Sequence, residues 1–483
     1  MAGTPAHPTS VDDVNFFDPA TQENWYPSYD LLREEAPVWR MPGTNTYVLT
    51  RYEDIHDVLR RTDVFMRGAS ESTPSAGASS VVKEIYATKG WPRASMLGSN
   101  PPQHKKYRDI ADPFFTPAGS ERRRGLITQI VNELVDDFAH DGGCEFVTSF
   151  AVPLPVRVIT IMMGFQLDDI PKLKKYSEAW VLPFRGGLSR DEEIYAGETG
   201  VEFQHFIHAT MQEKRANPDD SVISYLVNEA RFDDVRPLED HEIINIVDHL
   251  YIGGNETTTF ALTSTMWLML GTPGVYDAVR ADPSRVKNLV EEGLRCESPT
   301  MGMVRNAIID TEVGGVKIPK GSNLHLRYAA GNRDERMFAC PAQFDLDRTN
   351  SARHMAFSLG ETHCTGAGLS RLEQNVAFDV LVKRLPNLRF TPNLNDFGSL
   401  RVHQSMAQDA LRQRFPRGAV AEGIRRPGSV VDGDGCSHRR VLQGRCSNRG
   451  TQRRVRHRHA GQHPSCRRHR RAKTALPTTH SLG

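Results

Sequence analysis

Along this chain apolar residues recur every three or four positions far more often than they alternate, the spacing that gives a helix one buried stripe. The pattern predicts helices over 26–35, 52–59, 104–112, 121–139, 201–214, 221–229, 241–270 and 285–295, and a last one over 366–385 closed by Pro386. Strand signals are few and short. Segments 38–41 and 46–50 flank the turn residues Pro42 and Gly43, and 313–318 folds back at Gly314-Gly315 with Pro319 at its edge. Between Met66 and Pro102 small residues show little periodicity, which predicts a long functional or mobile loop. The fold class is therefore mainly α with small peripheral β-sheets.

Composition divides the chain unevenly. Of 483 residues, 39% are hydrophobic and 25% charged, enough for a large core beneath a polar surface. The net charge of +1 conceals an excess of thirteen positive charges in 416–483, which hold 16 Lys+Arg against three acids and have no aromatic residue other than histidine. Such a segment buries too little apolar surface to offset the entropy of ordering it, and the expectation is a disordered tail after one domain over 1–415. Its basicity would suit phosphates, but a shapeless, Arg-rich stretch reads first as a linker or as out-of-frame translation, which argues against nucleic acid as a partner. A single domain of about 400 residues exceeds the usual size of one core, so something is expected to organise its centre. Seven scattered cysteines without a pairing pattern suit a reducing cytoplasm. The chain shows no signal-peptide pattern, and its most apolar stretch, near 260–270, is too short and too rich in threonine to span a membrane.

Several runs carry chemistry. Cys364 lies in Phe357-Ser358-Leu359-Gly360-Glu361-Thr362-His363-Cys364-Thr365-Gly366, at the mouth of the last helix, where unpaired N–H groups favour a thiolate as nucleophile or metal ligand. His104 and Arg108, four apart, share one helix face, just after Pro101-Pro102. Gly253-Gly254 interrupts a long helical pattern at a cost of about 1 kcal/mol per glycine, which makes sense if something must approach the backbone there. Glu256 and Thr257 follow, a carboxylate and a hydroxyl suited to relaying protons. Glu292 and Arg295 form an i, i+3 pair, and an arginine from the tight, polar loops 329–334 and 341–348, Arg333 or Arg348, could complete a network with them.

In this order, over residues 20–415, these runs resemble the cytochrome P-450 superfamily, in particular its soluble bacterial members. The resemblance implies the cytochrome P-450 fold and heme b with Cys364 as its iron ligand. It places Phe357, Gly360 and Gly366 against the porphyrin, and Gly253, Gly254, Glu256 and Thr257 in the distal oxygen pocket, with Glu256 and Thr257 as the catalytic pair. His104, Arg108, Arg305 and His354 would meet the haem propionates, while Glu292, Arg295 and Arg348 would form a structural network. Two departures stand out. Bacterial members usually carry His or Arg two residues before the cysteine, where this chain has Thr362, and Ser358 replaces a common glycine. The haem would then be held less tightly, or at a shifted redox potential.

The implied activity is a haem-thiolate monooxygenase that hydroxylates an apolar organic substrate, terpenoid, steroid, fatty acyl or aromatic, with O2. No nucleotide fingerprint or iron–sulfur cysteine cluster is present, so electrons are expected from a separate ferredoxin and an NAD(P)H-dependent ferredoxin reductase, docking near Arg108, Arg353 and Arg371. Trp91, Met96, Leu97, Phe184, His249, Ile252, Met301 and Met303 are candidates for the substrate pocket. The alternatives are a peroxide-dependent haem peroxygenase, against which the Glu256–Thr257 pair argues, and a non-catalytic haem-binding sensor or carrier.

Overall fold

One helix runs through the middle of the molecule. Asp240–Gly271 spans 32 residues, about 48 Å at the usual rise. Helices Pro153–Met163, Arg190–Ala216, Val286–Cys296 and Ala367–Arg384 pack around it. Ile243, Ile244, Ile246, Val247, Tyr251, Leu262 and Met266 lie within its buried flanks and join the main apolar core. In the computed structural model, residues 8–18, 21–22, 24–67, 79–141, 143–185 and 187–390 are described, with backbone only at 184, 185, 419 and 420. The chain divides into two units, Met1–Ile424 and Arg425–Gly483, and the described helices and strands all belong to the first. Apart from the paired backbones of Ala419–Val420 and Arg389–Phe390, the tail expected over 416–483 lies outside the described residues.

The sheets are small and peripheral, as the pattern predicts. The largest has five strands in the order Val38–Arg40, Thr46–Leu49, Asn323–Leu326, Met303–Ala307, Phe65–Met66. Its edge strand is antiparallel to its neighbour, with Phe65 opposite Ala307 and Met66 opposite Asn306. The hairpin Thr311–Val313 to Val316–Ile318 turns at Gly314 and Gly315, both at positive φ (55° and 81°), the two-residue turn that matches strand twist. A second core, of Tyr52, Ile55, Phe65, Leu324, Leu326 and Phe338, lies under the main sheet.

The helices depart from the predicted bounds where local signals were overridden. The stretch expected to be loop over 66–102 contains a helix, Ser80–Lys89, capped by the Ser79 hydroxyl accepting from the Val82 N–H. Its few apolar residues suffice because Ile85 and Tyr86 close a small core with Val201 on the neighbouring helix. That neighbour starts at Arg190 rather than near 201, on a capping box between Ser189 and Glu192. Pro153–Met163 and Ile170–Val181 are further helices, each with proline in its first turn, where no N–H is needed. In Pro153–Met163 the apolar residues run almost continuously, which hides the helical period.

Buried charge ties the helices to the long loop after residue 331. Arg295 donates from Nε and Nη2 to Glu292 at 2.8 and 2.7 Å, and Arg348 Nε donates to the same carboxylate at 3.0 and 3.1 Å. Both partners of the first pair are fully shielded from solvent. Arg295 also reaches the Asn332 and Pro341 carbonyls, so the network expected of these three residues is a structural clamp on that loop.

Candidate active site

The Cys364 loop is shaped by backbone turns. The Cys364 N–H donates to the Phe357 carbonyl at 2.8 Å and the His363 N–H to Gly360 at 3.0 Å. Gly360 sits at φ +64°, a left-handed conformation that favours glycine. Ala367–Arg384 begins three residues after the cysteine, and the Gly366 N–H points at the thiol. Cys364 is surface-accessible but sits in a densely walled hollow. Burial pushes its thiol up, while the Gly366 N–H and the charges of Arg108 and Arg371 pull the other way. A Cβ on Gly366 would touch only this sulfur, at 3.9 Å. Beside the loop, the Arg371 guanidinium lies 4.5 Å from the Phe357 ring centroid.

Along the central helix the two adjacent glycines do different jobs. At Gly254 a Cβ would stand 3.1 Å from Ile159, so glycine there lets Pro153–Met163 pack closely. At Gly253 a Cβ would meet nothing within 4 Å. Gly253 is exposed, and His249, Glu256, Thr257 and Phe260 are half-buried in a helix whose other faces are mostly buried. These accessible positions repeat at helical spacing and form one open stripe. Thr257 Oγ1 donates to the Gly253 carbonyl at 2.8 Å. Glu256 Oε1 accepts from Lys174 Nζ at 2.5 Å, across to Ile170–Val181. Next to this pair, Thr258 Oγ1 donates to Ser370 Oγ at 3.2 Å, joining the central helix to the one that follows Cys364. The helix bearing the open stripe is thereby tied to the helix that begins just after Cys364.

A third group is cationic. His104 is 3% exposed, and its Nε2 is buried without a partner. Burial and the neighbouring Arg67, Arg108 and Arg305 push it down to about 4, with only Asp112 opposing. Arg67 is itself brought down to about 10 by burial, Arg305 and Arg108. Arg108 is partly satisfied, donating to Asp112 at 2.6 Å and to the His363 carbonyl at 2.8 Å. Arg305 donates to Thr362 Oγ1 at 3.0 Å. Thr362 and Ser358, the two departures in the cysteine loop, bond each other at 3.1 Å, and Tyr328 donates to Ser358 at 3.0 Å. Ser358 accepts φ +58° where glycine would be unstrained, and these two bonds offset that cost.

Buried cations short of carboxylates, an unpartnered histidine nitrogen, and glycines that keep space open beside a thiol suit a large flat dianion with a metal at its centre. These residues fit haem, and the site is that of a haem-thiolate protein. The chain belongs to the cytochrome P450 family, which it matches over residues 21–392; it is a P450 monooxygenase by descent, of a family whose haem is cysteine-ligated. It is 30% identical over 366 residues to cytochrome P450 YjiB of Bacillus subtilis (strain 168), covering 75% of this chain and 88% of that protein. It is also 30% identical over 382 residues to the 6-deoxyerythronolide B hydroxylase of Saccharopolyspora erythraea, covering 77% and 91%. Among solved structures, P450BioI in complex with hexadec-9Z-enoic acid ligated acyl carrier protein is similar with a TM-score of 0.70 and 26% identity, covering 83% of this chain and 97% of that one.

The fold brings together His104, Arg108 and Arg305 in the cationic group, Gly253, Glu256 and Thr257 on the open stripe, and Phe357, Gly360 and Gly366 around Cys364. His354 stands apart. Its Nε2 pairs with Glu291 at 3.1 Å and its Nδ1 accepts from the Ala356 N–H at 3.1 Å, so both ring nitrogens are engaged away from the other cations. Against the push of burial, the bonds from His354 and Arg371 hold Glu291 down to about 2.

Of the pocket candidates, His249 and Ile252 lie on or beside the open stripe. Met96 and Leu97 are buried in the main core, and Trp91 is half-buried against it. Met301 belongs instead to the cluster of Phe16, Tyr29 and Trp39, Met303 is exposed, and the side chain of Phe184 lies outside the described residues. Arg67 is not among the residues that the sequence pattern singles out. It sits at the start of the aperiodic stretch, and its one signal is being a lone arginine just after a strand.

Proposed function

We propose that the protein hydroxylates an apolar organic substrate, with heme b held through Cys364 and electrons brought by a separate ferredoxin and its NAD(P)H-dependent reductase in the cytoplasm. The observation that carries this reading is the open Gly253–Thr257 stripe on an otherwise buried helix, which the Thr258–Ser370 bond ties to the helix that follows Cys364. Haem, when bound, supplies the redox-active iron at which O2 is reduced. The remaining work falls to side chains. Thr257 spends its own proton on the Gly253 carbonyl, which leaves its oxygen free to accept a hydrogen bond. Glu256 is the adjacent carboxyl group, which can take a proton from solvent and hand it on to that hydroxyl, and Lys174 holds it in place. Ile252 and the flanking apolar core keep the surroundings dry.

The relatives favour bulky, mostly apolar substrates. One is named for hydroxylating 6-deoxyerythronolide B and another was solved with a fatty acid on its carrier protein. By extension, a fatty acyl or polyketide-like substrate heads the terpenoid, steroid and aromatic alternatives. Among the described residues no helix is long and apolar enough to cross a membrane. Of the arginines expected at the redox-partner face, Arg353 is exposed, whereas Arg371 is neutralised by Glu291 at 2.6 Å.

The decisive experiment is the carbon-monoxide difference spectrum of the reduced protein, followed by a screen of fatty acids, macrolactones and steroids for spin-state shifts. A thiolate-type Soret band is expected, with turnover supported by a ferredoxin chain; its absence would overturn the reading. Turnover with peroxide alone would move the protein to the peroxygenases.

A further inference from the structure

We propose that Arg67 is a clamp for a carboxylate side arm of the haem, doing the work of the basic residue that Thr362 displaces. The inference rests on the haem-thiolate reading and adds to it a residue that comes from a different part of the chain.

The sheet register is the first argument. Phe65 lies opposite Ala307 and Met66 opposite Asn306, and Arg67 is the first residue past that strand, leaving it on the side of Arg305, whose charge pushes it down. Like charges brought this near each other repel. Two arginines this near each other in a buried corner need an anion between them. Among the described residues no side chain supplies it. The carboxylates nearby are Asp112, which is paired with Arg108, and Glu361, which is exposed and accepts from Thr62 at 3.1 Å.

The second argument is how firmly Arg67 is placed. Its N–H donates to Asn100 Oδ1 at 2.8 Å, and Asn100 Nδ2 returns a bond to its carbonyl at 2.6 Å. The Asn100 carbonyl in turn accepts from the His104 N–H at 3.1 Å, opening the helix that carries His104 and Arg108. The guanidinium touches the Leu97 and Ser99 carbonyls, and their partial negative charge cannot neutralise a cation. Arg67, Arg305, Arg108 and His104 are thus preorganised as one cationic corner. Burial and mutual repulsion hold Arg67 and His104 below their ordinary values, as expected of a site waiting for negative charge.

Thr362 gives the arrangement its reason. A threonine cannot offer a charged donor, and here its hydroxyl positions Arg305 and binds Ser358. A planar guanidinium from just past the edge strand makes good the missing charge, with a geometry suited to a carboxylate.

The test is haem transfer from the purified holoenzyme to excess apomyoglobin, for the native protein, Arg67→Met and Arg67→Lys. Each is measured with haem and again after exchange for haem dimethyl ester, whose side arms are uncharged. Arg67→Met should release haem on the order of ten to a hundred times faster than the native protein, the usual weight of a charged hydrogen bond. Arg67→Lys should fall between, and all three should release the diester at similar rates. Unchanged release of haem would overturn the proposal. Equal acceleration with the diester would overturn it too, since Arg67 would then merely brace the Leu97–Ser99 turn. A native protein lacking the thiolate Soret band would instead defeat the underlying haem-thiolate reading.

Discussion

Lys174 Nζ donates to Glu256 Oε1 at 2.5 Å, with both side chains about 15% exposed. The bond ties the carboxylate of the open stripe to Ile170–Val181, next to the Asn255 to Ser177 bond at 3.1 Å. Glu256 is therefore fixed against Lys174 on the neighbouring helix. If it passes protons to Thr257, Glu256→Gln should lower turnover by about a hundredfold. Lys174→Met keeps the carboxylate and should cost less than about tenfold. Turnover under saturating reductant, with its solvent isotope effect, would check the difference. Equal losses would mean that the ion pair matters only for packing.

Thr257 should matter through its hydroxyl rather than its methyl group. Thr257→Ala is expected to leave the fold and the carbon-monoxide spectrum intact while raising the electrons consumed per product severalfold. Thr257→Ser, which keeps the bond to Gly253, should behave like the native protein. Product formed per reduced nicotinamide consumed is the measurement.

The Glu292 clamp is a matter of stability. Glu292→Gln leaves Arg295 and Arg348 buried against a neutral amide. Such a break costs about 3–5 kcal/mol. The variant should unfold at lower denaturant and retain little haem, read from the midpoint of urea denaturation and the Soret absorbance.

Asp248 offers a pH signature. It is 7% exposed, and burial pushes it up to about 6 despite Arg93 and a bond from Trp180. The unfolded carboxyl titrates near 3.9, as is usual for aspartate. The folded state therefore holds the proton longer, and the stability it lends is lost as pH rises from about 4 to about 6. Asp248→Asn removes that loss. Its stability relative to the native protein should grow by about 1–1.5 kcal/mol between pH 5 and pH 7.5. Urea denaturation at the two pH values measures this, and a constant difference would contradict the assignment.

Much of the site was legible because its parts are local. The loop around Cys364 is a single run of ten residues, and Gly253 to Thr257 falls within about a turn and a half of one helix. Both show their chemistry through spacing alone. The Glu292–Arg295 pair was equally visible, being i, i+3 on a helix, and Gly314-Gly315 announced its hairpin. The helix Pro153–Met163 was less so, because an apolar run buried on several sides loses the periodicity that marks an amphipathic surface.

The sequence by itself determined the family and the predominance of helix, and it singled out Cys364 and the Glu256–Thr257 pair as candidates, since each depends on residues that are neighbours along the chain. Only the tertiary structure decided where the charges go. Glu291 draws both His354 and Arg371 into its own cluster, and Lys174 anchors Glu256 from another helix. Strand pairing between Phe65–Met66 and Met303–Ala307 carries Arg67 to Arg305 across more than two hundred residues. Electrostatics depends on distance in space and on burial, and neither is set until distant segments of the chain have packed.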